Sequence, residues 1–159
     1  MKKQGFTIVE LLLYIGLFSI LIYVIMNIFA TSLDLKSRSE SVSMVHQDGR
    51  FILQKFMTDI NNANSIIIPN LGSSGSTLQI VLYGVLRTYQ LNNNTIELID
   101  NTDTYQLSSF GTDVTNLSFT RIGSINGKNT IKISFTLQGK ANFNPGQETE
   151  NFQTTIGIR

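Results

Sequence analysis

The sequence predicts an α+β protein, a long amino-terminal helix followed by an antiparallel sheet, and three observations carry that prediction. Twenty residues from Leu11 to Ala30 are apolar or uncharged throughout. No proline interrupts the chain from Phe6 to Ile68. From Leu78 onward the apolar spacing of three and four gives way to a period of two, the signature of strands in place of a helix.

The apolar run comes first. At about 1.5 Å rise per residue, some twenty helical residues cover the roughly 30 Å of a hydrocarbon core, so this segment is long enough to cross a bilayer. Past it, Ser32 to Ser43 is serine-rich and sparsely apolar, which predicts an exposed connection. Val42, Val45, Ile52, Phe56, Ile60 and Ala63 then recur at spacings that place them on one face, with Leu53 and Met57 widening the stripe toward a full core face. Gly49 lies on that stripe, either where a strand approaches closely or as a weak point. Pro69 and the Gly72-Ser73-Ser74-Gly75-Ser76 cluster end the helical region in a loop.

Strands are expected at Leu78 to Tyr83, Val85 to Leu91, Thr95 to Ile99, Val114 to Ile122 and Thr130 to Gln138, with a last one carrying Phe152, Thr154, Ile156 and Ile158. The clearest is Thr130 to Gln138, where Ile131, Ile133, Phe135 and Leu137 alternate with polar residues. Leu117 and Phe119 share a face of the strand before it. Asn92-Asn93-Asn94 supplies one turn, and Asn126-Gly127 favours a type I′ hairpin.

Composition excludes several classes of function. With 159 residues and no cysteine, the chain suits one outer domain held by core packing, without disulfides or cysteine-based metal and redox chemistry. His46 is the only histidine, which leaves no zinc set and predicts a solvated helix position. Asp100 and Asp103 flank a turn, but two carboxylates fall short of the six to eight oxygens calcium takes, so no metal or other cofactor is expected. Lys128, Lys132 and Lys140 are scattered and not interleaved with aromatics, so nucleic acid is not indicated. The glycine and serine run lacks the Gly-Lys-Ser/Thr ending of a phosphate loop. No catalytic set is visible, and no enzymatic activity is expected.

The start of the chain carries the functional signal. Lys2 and Lys3 precede the apolar run with no acidic neighbour, which keeps the amino terminus cytoplasmic and the remainder outside. Glu10 heads the run. A carboxylate within a membrane helix costs about 2.5–3.5 kcal/mol at the centre and less near an interface, so it is expected to find a cation, for example the α-amine that a cut after Gly5 would create at Phe6. An ordinary secretory signal cut near Ala30-Thr31-Ser32 has a shorter apolar region of about 7–15 residues. A plain single-pass anchor accounts for the hydrophobicity but not for the Gly-Phe-Thr junction.

Gly5-Phe6-Thr7-Ile8-Val9-Glu10-Leu11-Leu12, behind a short basic leader and before an apolar helix, resembles the class III signal of type IV prepilins and pseudopilins. The resemblance implies that a prepilin peptidase cuts between Gly5 and Phe6 and N-methylates Phe6, and that Glu10 pairs with the processed amine of a neighbouring subunit. It implies residues 1–5 as leader, 6–30 as the transmembrane and assembly half of the helix, 31–65 as its outer half and 66–159 as a β-rich head. Its partners would be other pilin or pseudopilin subunits, the peptidase, the cytoplasmic membrane and an assembly platform of a pilus, secretion or competence system. Loss of Lys2 and Lys3 with the leader would leave ten Lys and Arg against eleven Asp and Glu, a nearly neutral mature chain. The stretch Phe51 to Ala63 and the ending Phe152 to Arg159 are similar to minor pseudopilins of the J type. The chain departs from many pilins in lacking both a cysteine-closed loop and a proline partway down the helix. Asn27 would either weaken the membrane helix or hydrogen-bond to a neighbour. The other function class left by the residues is a membrane-anchored binding module that does not polymerise.

Overall fold

The structure, a computed structural model, describes residues 7–101, 103–123, 127–142 and 146–158. One helix, α1 (Ile8–Asn61), is followed by nine strands: β1 (Ser65–Ile68), β2 (Ser74–Gly75), β3 (Leu78–Leu82), β4 (Val85–Asn92), β5 (Thr95–Asp100), β6 (Asp103–Gln106), β7 (Thr112–Ile122), β8 (Thr130–Asn142) and β9 (Gln147–Gly157). The expected α+β layout is present: the outer part of α1 packs against antiparallel sheets. The chain divides into two compact units, Met1–Ser39 and Glu40–Arg159.

In the first unit the helix is exposed along its whole apolar run. An 18-residue window of mean hydropathy 2.5 contains no buried residue, which is compatible with a transmembrane anchor. Asn27 turns its Nδ2 back to donate to the Tyr23 carbonyl at 3.1 Å, and Thr31 Oγ1 donates to the Asn27 carbonyl at 2.9 Å. Both polar side chains are thus satisfied within their own helix.

The second unit holds the core. Its two sheets have strand orders β1-β3-β4-β5-β6 and β2-β7-β8-β9. Val45, Ile52, Phe56, Ile60 and Ala63 of the helix form one apolar cluster with Leu78, Ile80, Tyr89 and Ile96 of the first sheet and Phe119, Ile131, Ile133 and Leu137 of the second. Phe56 is the joint. Its ring meets Tyr89 edge-on at 5.0 Å and Phe119 at 5.4 Å, an arrangement aromatic pairs favour, so one helical side chain touches both sheets. The stripe read from the sequence is the buried one, with a correction: Leu53 is partly covered but Met57 is 41% exposed, because it lies on the flank turned away from the sheets. Ser41 and Asp59 take core places instead.

Gly49 marks a close approach. A Cβ there would fall 2.2 Å from Cζ of Phe152, so only glycine lets β9 lie this near the helix. The helix ends at Asn61, short of residue 65, where an asparagine-rich stretch supplies alternative hydrogen bonds: Asn62 Nδ2 donates to the Thr58 carbonyl at 2.8 Å and the Asn64 N–H to the Val81 carbonyl at 2.8 Å. The second of these bonds starts β1 on β3.

Three strands were not expected. β1 reads Ser-Ile-Ile-Ile without alternation, β2 is two residues inside the glycine-serine cluster, and β6 reads Asp-Thr-Tyr-Gln with every residue exposed. The loop expected at Gly72–Ser76 therefore contains a strand, paired to Thr120 and Phe119 of β7. In β7 the buried positions change parity, from Thr112 and Val114 to Leu117 and Phe119. The register on β8 shifts between Thr115 and Ser118, and Asn116 there has φ of 54°. A bulge inserts one residue and so keeps both halves of the strand facing the core. β7 and β8 pair antiparallel from Ile122↔Thr130, while Asn126 of the expected turn lies outside the described residues.

Candidate functional site

Of the residues singled out at the amino terminus, Lys2, Lys3, Gly5 and Phe6 lie outside the described residues. Thr7 and Glu10 are described. Thr7 Oγ1 accepts the Glu10 backbone N–H at 3.3 Å, and the Leu11 N–H reaches the Thr7 carbonyl at 3.2 Å. Thr7 is therefore the N-cap of α1 and Glu10 its third helical residue, the spacing of a capping box. An acidic group in the first turn also faces the positive end of the helix dipole, worth about 0.3–1 kcal/mol. The Tyr14 hydroxyl lies 3.5 Å from Glu10 Oε1, one turn on. The carboxylate itself is exposed.

The head carries two polar networks that fix its loops and strands to the helix. The first surrounds Asp59, which is 3% exposed. Arg87 Nη1 donates to Asp59 Oδ2 at 3.2 Å, while its Nε and Nη2 donate to Asp100 Oδ2 at 3.0 and 2.9 Å. Lys55 Nζ lies 3.1 Å from Asp59 Oδ2, and the Tyr89 hydroxyl donates to the same oxygen. Two cations and two carboxylates balance, so the buried charge is paired, as burial demands. Burial, then the hydrogen bond to Asp59, raise the Tyr89 pKa well above the ordinary tyrosine range. Burial acts to lower that of Arg87, but Asp59 and Asp100 together outweigh it and raise it.

This network also takes in one end of the Asp100–Asp103 turn. Asp100 is committed to Arg87, and Asp103 Oδ2 lies 3.4 Å from the Tyr105 hydroxyl. Among the described residues no cluster of three or more His, Asp or Glu residues could hold a metal ion. His46 is half-exposed on the helix as expected, yet it is not merely solvated: its Nδ1 lies 2.8 Å from Glu150 of β9.

The second network centres on Asp48. Its Oδ2 accepts from the Ser109 N–H at 3.0 Å, from Ser109 Oγ at 2.7 Å and from Thr112 Oγ1 at 2.5 Å. One helical carboxylate thereby ties down the loop between β6 and β7. Arg121 does the same for the segment after β1, donating to the carbonyls of Ile66 at 3.0 Å and Pro69 at 3.3 Å and to Asn129 Oδ1 at 3.1 Å. Lys140 faces Asp113 at 3.3 Å. Sequence reasoning missed Asp59 and Asp48. Asp59 had a readable signal, since it is an acid on the same face as Ile52, Phe56 and Ala63, a local violation of the apolar stripe that asks for a buried partner.

Compared with family models, with curated proteins and with solved structures, the chain matches none. Its fold and sites define an α+β head following an apolar helical segment fit to be an anchor, with polar groups that pin structure.

Proposed function

We propose that this chain is a type IV pilin-like structural subunit, a minor pilin or pseudopilin, and not an enzyme. In this reading a prepilin peptidase cuts between Gly5 and Phe6 and methylates the new amine of Phe6. The helix holds the subunit in the cytoplasmic membrane with its head outside, and Glu10 recruits the amine of a neighbouring subunit as the filament of a pilus, secretion or competence system grows.

The observation that carries the reading is the junction Gly5-Phe6-Thr7-Ile8-Val9-Glu10 placed directly before a charge-free apolar run. Geometry lends support at two points. The helix cap falls on Thr7, so Glu10 stands in the first turn at the helix head. In addition, the carboxylate is exposed, open to an intermolecular partner. Pairing removes the cost of holding it unpaired in lipid.

The test is intact-mass and amino-terminal peptide mass spectrometry on the full chain expressed with its prepilin peptidase. The expected product starts at methylated Phe6, and Glu10→Ala should then be processed yet fail to enter filaments. A chain retaining Met1, or starting near Leu33, would refute the processing and favour an anchored binding module or a secreted domain.

A further inference from the structure

Each sheet of the head ends in strands that have a neighbour on one side only. Among the described residues these edges are β1 and β6 in one sheet and β2 and β9 in the other. An open edge presents unpaired N–H and C=O groups to any further strand, and proteins blunt it with shortness, bulges, proline or charge. β2 is two residues long, and β1 carries a bulge with Pro69 directly after it. β9 is eleven residues long, and its stretch 151–157 holds neither charge nor proline. β6 has four exposed residues in unbroken register on β5.

The directions of β9 and β6 follow from their surroundings on the outer part of α1. β9 runs with the helix: Glu150 meets His46 at 2.8 Å, and Phe152 fills the space at Gly49. β6 runs against it. β3 ends beside Asn64, just past the helix end, where the Val81 carbonyl accepts the Asn64 N–H. β4 returns from Arg87 at Asp59 to Tyr89 against Phe56. β5 reverses that course, and β6 reverses it again on the way to Ser109 at Asp48. Two copies whose outer helices point the same way therefore bring β6 of one antiparallel to β9 of the other. In that alignment β9 against β9, or β6 against β6, would run parallel, the less stable pairing.

The side chains match as well. Tyr105 stands opposite Leu98, which is buried, and Asp103 opposite Asp100, so Tyr105 and Asp103 lie on the inner face of their sheet. On the receiving side, His46, Arg50, Leu53 and Met57 recur at spacings of four, three and four, one stripe of the helix. The stripe starts at the His46 contact with β9 and continues past the β9 edge, where Arg50 is exposed and Met57 is 41% exposed. A strand added to β9 covers it. Tyr105 then sets its ring against Leu53 and Met57 within reach of the Arg50 guanidinium, a cation that aromatic faces attract. Antiparallel order also places Asp103 toward the Ile156 end of β9, away from Glu148 and Glu150.

From this we infer that the head binds a second copy of this chain through its backbone, β6 of one copy extending the sheet of the next along the free edge of β9. The inference rests on the filament reading, which sets neighbouring helices in one direction, and adds which edges of the head meet.

Because the chain has no cysteine, engineered cysteines report contacts without background. A tagged Thr104→Cys chain and an untagged Gln153→Cys chain, both altered at exposed positions, are expressed together with the prepilin peptidase. Membranes and sheared filaments are treated with a short bis-maleimide whose reach tolerates a small slip in register. The expected product is a dimer holding one chain of each kind, absent when either variant is expressed alone. Tyr105 is 52% exposed, so Tyr105→Lys in the tagged chain leaves the head folded, as its urea midpoint checks. It points a charge at Arg50 and should abolish the mixed dimer, whereas Tyr105→Phe should keep it. Absence of the mixed dimer overturns the inference. So does either variant dimerising alone as readily, which would mean like edges meeting, and so does a mixed dimer indifferent to Tyr105→Lys. The amino-terminal mass and the filament fraction are read in the same samples. Processed chain in filaments without the mixed dimer sinks this joint alone, whereas a mixed dimer from chain that is neither processed nor in filaments sustains the joint and sinks the filament reading.

Discussion

Replacing Gly49 by alanine sets two opposed effects against each other. In a helix interior alanine is favoured over glycine by about 1 kcal/mol. Against that, the new methyl would lie 2.2, 2.3 and 2.6 Å from three ring atoms of Phe152. Cζ lies on the axis of ring rotation, so turning the ring does not clear it. Only a change of χ1 or a backbone shift can, and the ring is stacked on Phe135 at 5.3 Å and 16°. Overpacking of this kind costs about 1–3 kcal/mol, so the substitution should destabilise by roughly 1 kcal/mol net. The assay is urea unfolding of residues 40–159, a unit containing the entire described core, from Val45 to Ile156. A loss of that size moves the midpoint down by about half a molar. In a Phe152→Ala background the clash is gone and the same Gly49→Ala change should raise the midpoint. A coupling of about 1–3 kcal/mol between the two sites is expected. If Gly49→Ala stabilises the head while Phe152 is present, the close seating of β9 on the helix is refuted.

Asp59→Ala leaves the Arg87 charge short of one partner and the buried Tyr89 hydroxyl with none, and should cost about 3–5 kcal/mol in the same unfolding assay; adding Tyr89→Phe should recover part of it, because the orphaned hydroxyl is removed. Since the folded state holds the Tyr89 proton above the ordinary value of 10.0, its contribution is complete below pH 10 and is lost as pH rises beyond it. Stability should therefore fall above that point with a component of about 1.4 kcal/mol per pH unit that Tyr89→Phe abolishes, and an unchanged slope in that variant would count against the buried bond. Asp48→Ala should release the β6–β7 loop, costing about 1–3 kcal/mol, with hydrogen exchange at the Ser109 amide accelerated well ahead of the β8 amides. Exchange unchanged at Ser109 would mean the carboxylate does not hold the loop.

The helix and β8 were legible because each buries one face along its whole length. Val45, Ile52, Phe56 and Ile60 keep helical spacing, and Ile131, Ile133, Phe135 and Leu137 alternate without a break. β6 was invisible for the opposite reason: it lies at a sheet edge with both faces wet, so Asp103 to Gln106 has no apolar side to display. β1 was hidden by a bulge between Ile66 and Ile68, which turns three consecutive isoleucines into one buried and two exposed. In β7 the alternation is real but changes phase at Asn116, and a reading that assumes one phase finds only the half holding Leu117 and Phe119. The anchoring networks were harder. Asp48 looks like an ordinary exposed helical acid, and its three donors come from the β6–β7 loop and the start of β7, some sixty residues further on, a distance no local pattern spans.

The turns of the head have a consequence for the unfolded chain. Asn93, Asn94, Asn101 and Asn116 all take positive φ, with values from 46° to 61°, where glycine would be the unstrained choice. Asparagine tolerates that region while remaining far less free than glycine in a disordered chain. Each such position therefore leaves less entropy for folding to remove than glycine would, against the strain a side chain meets at positive φ. Disulfides restrict the denatured ensemble of many small extracellular domains in a comparable way, and this chain has no cysteine to form one. The restriction these turns place on the denatured chain involves no sulfur, so it would persist unchanged under reducing conditions that weaken a disulfide-braced domain.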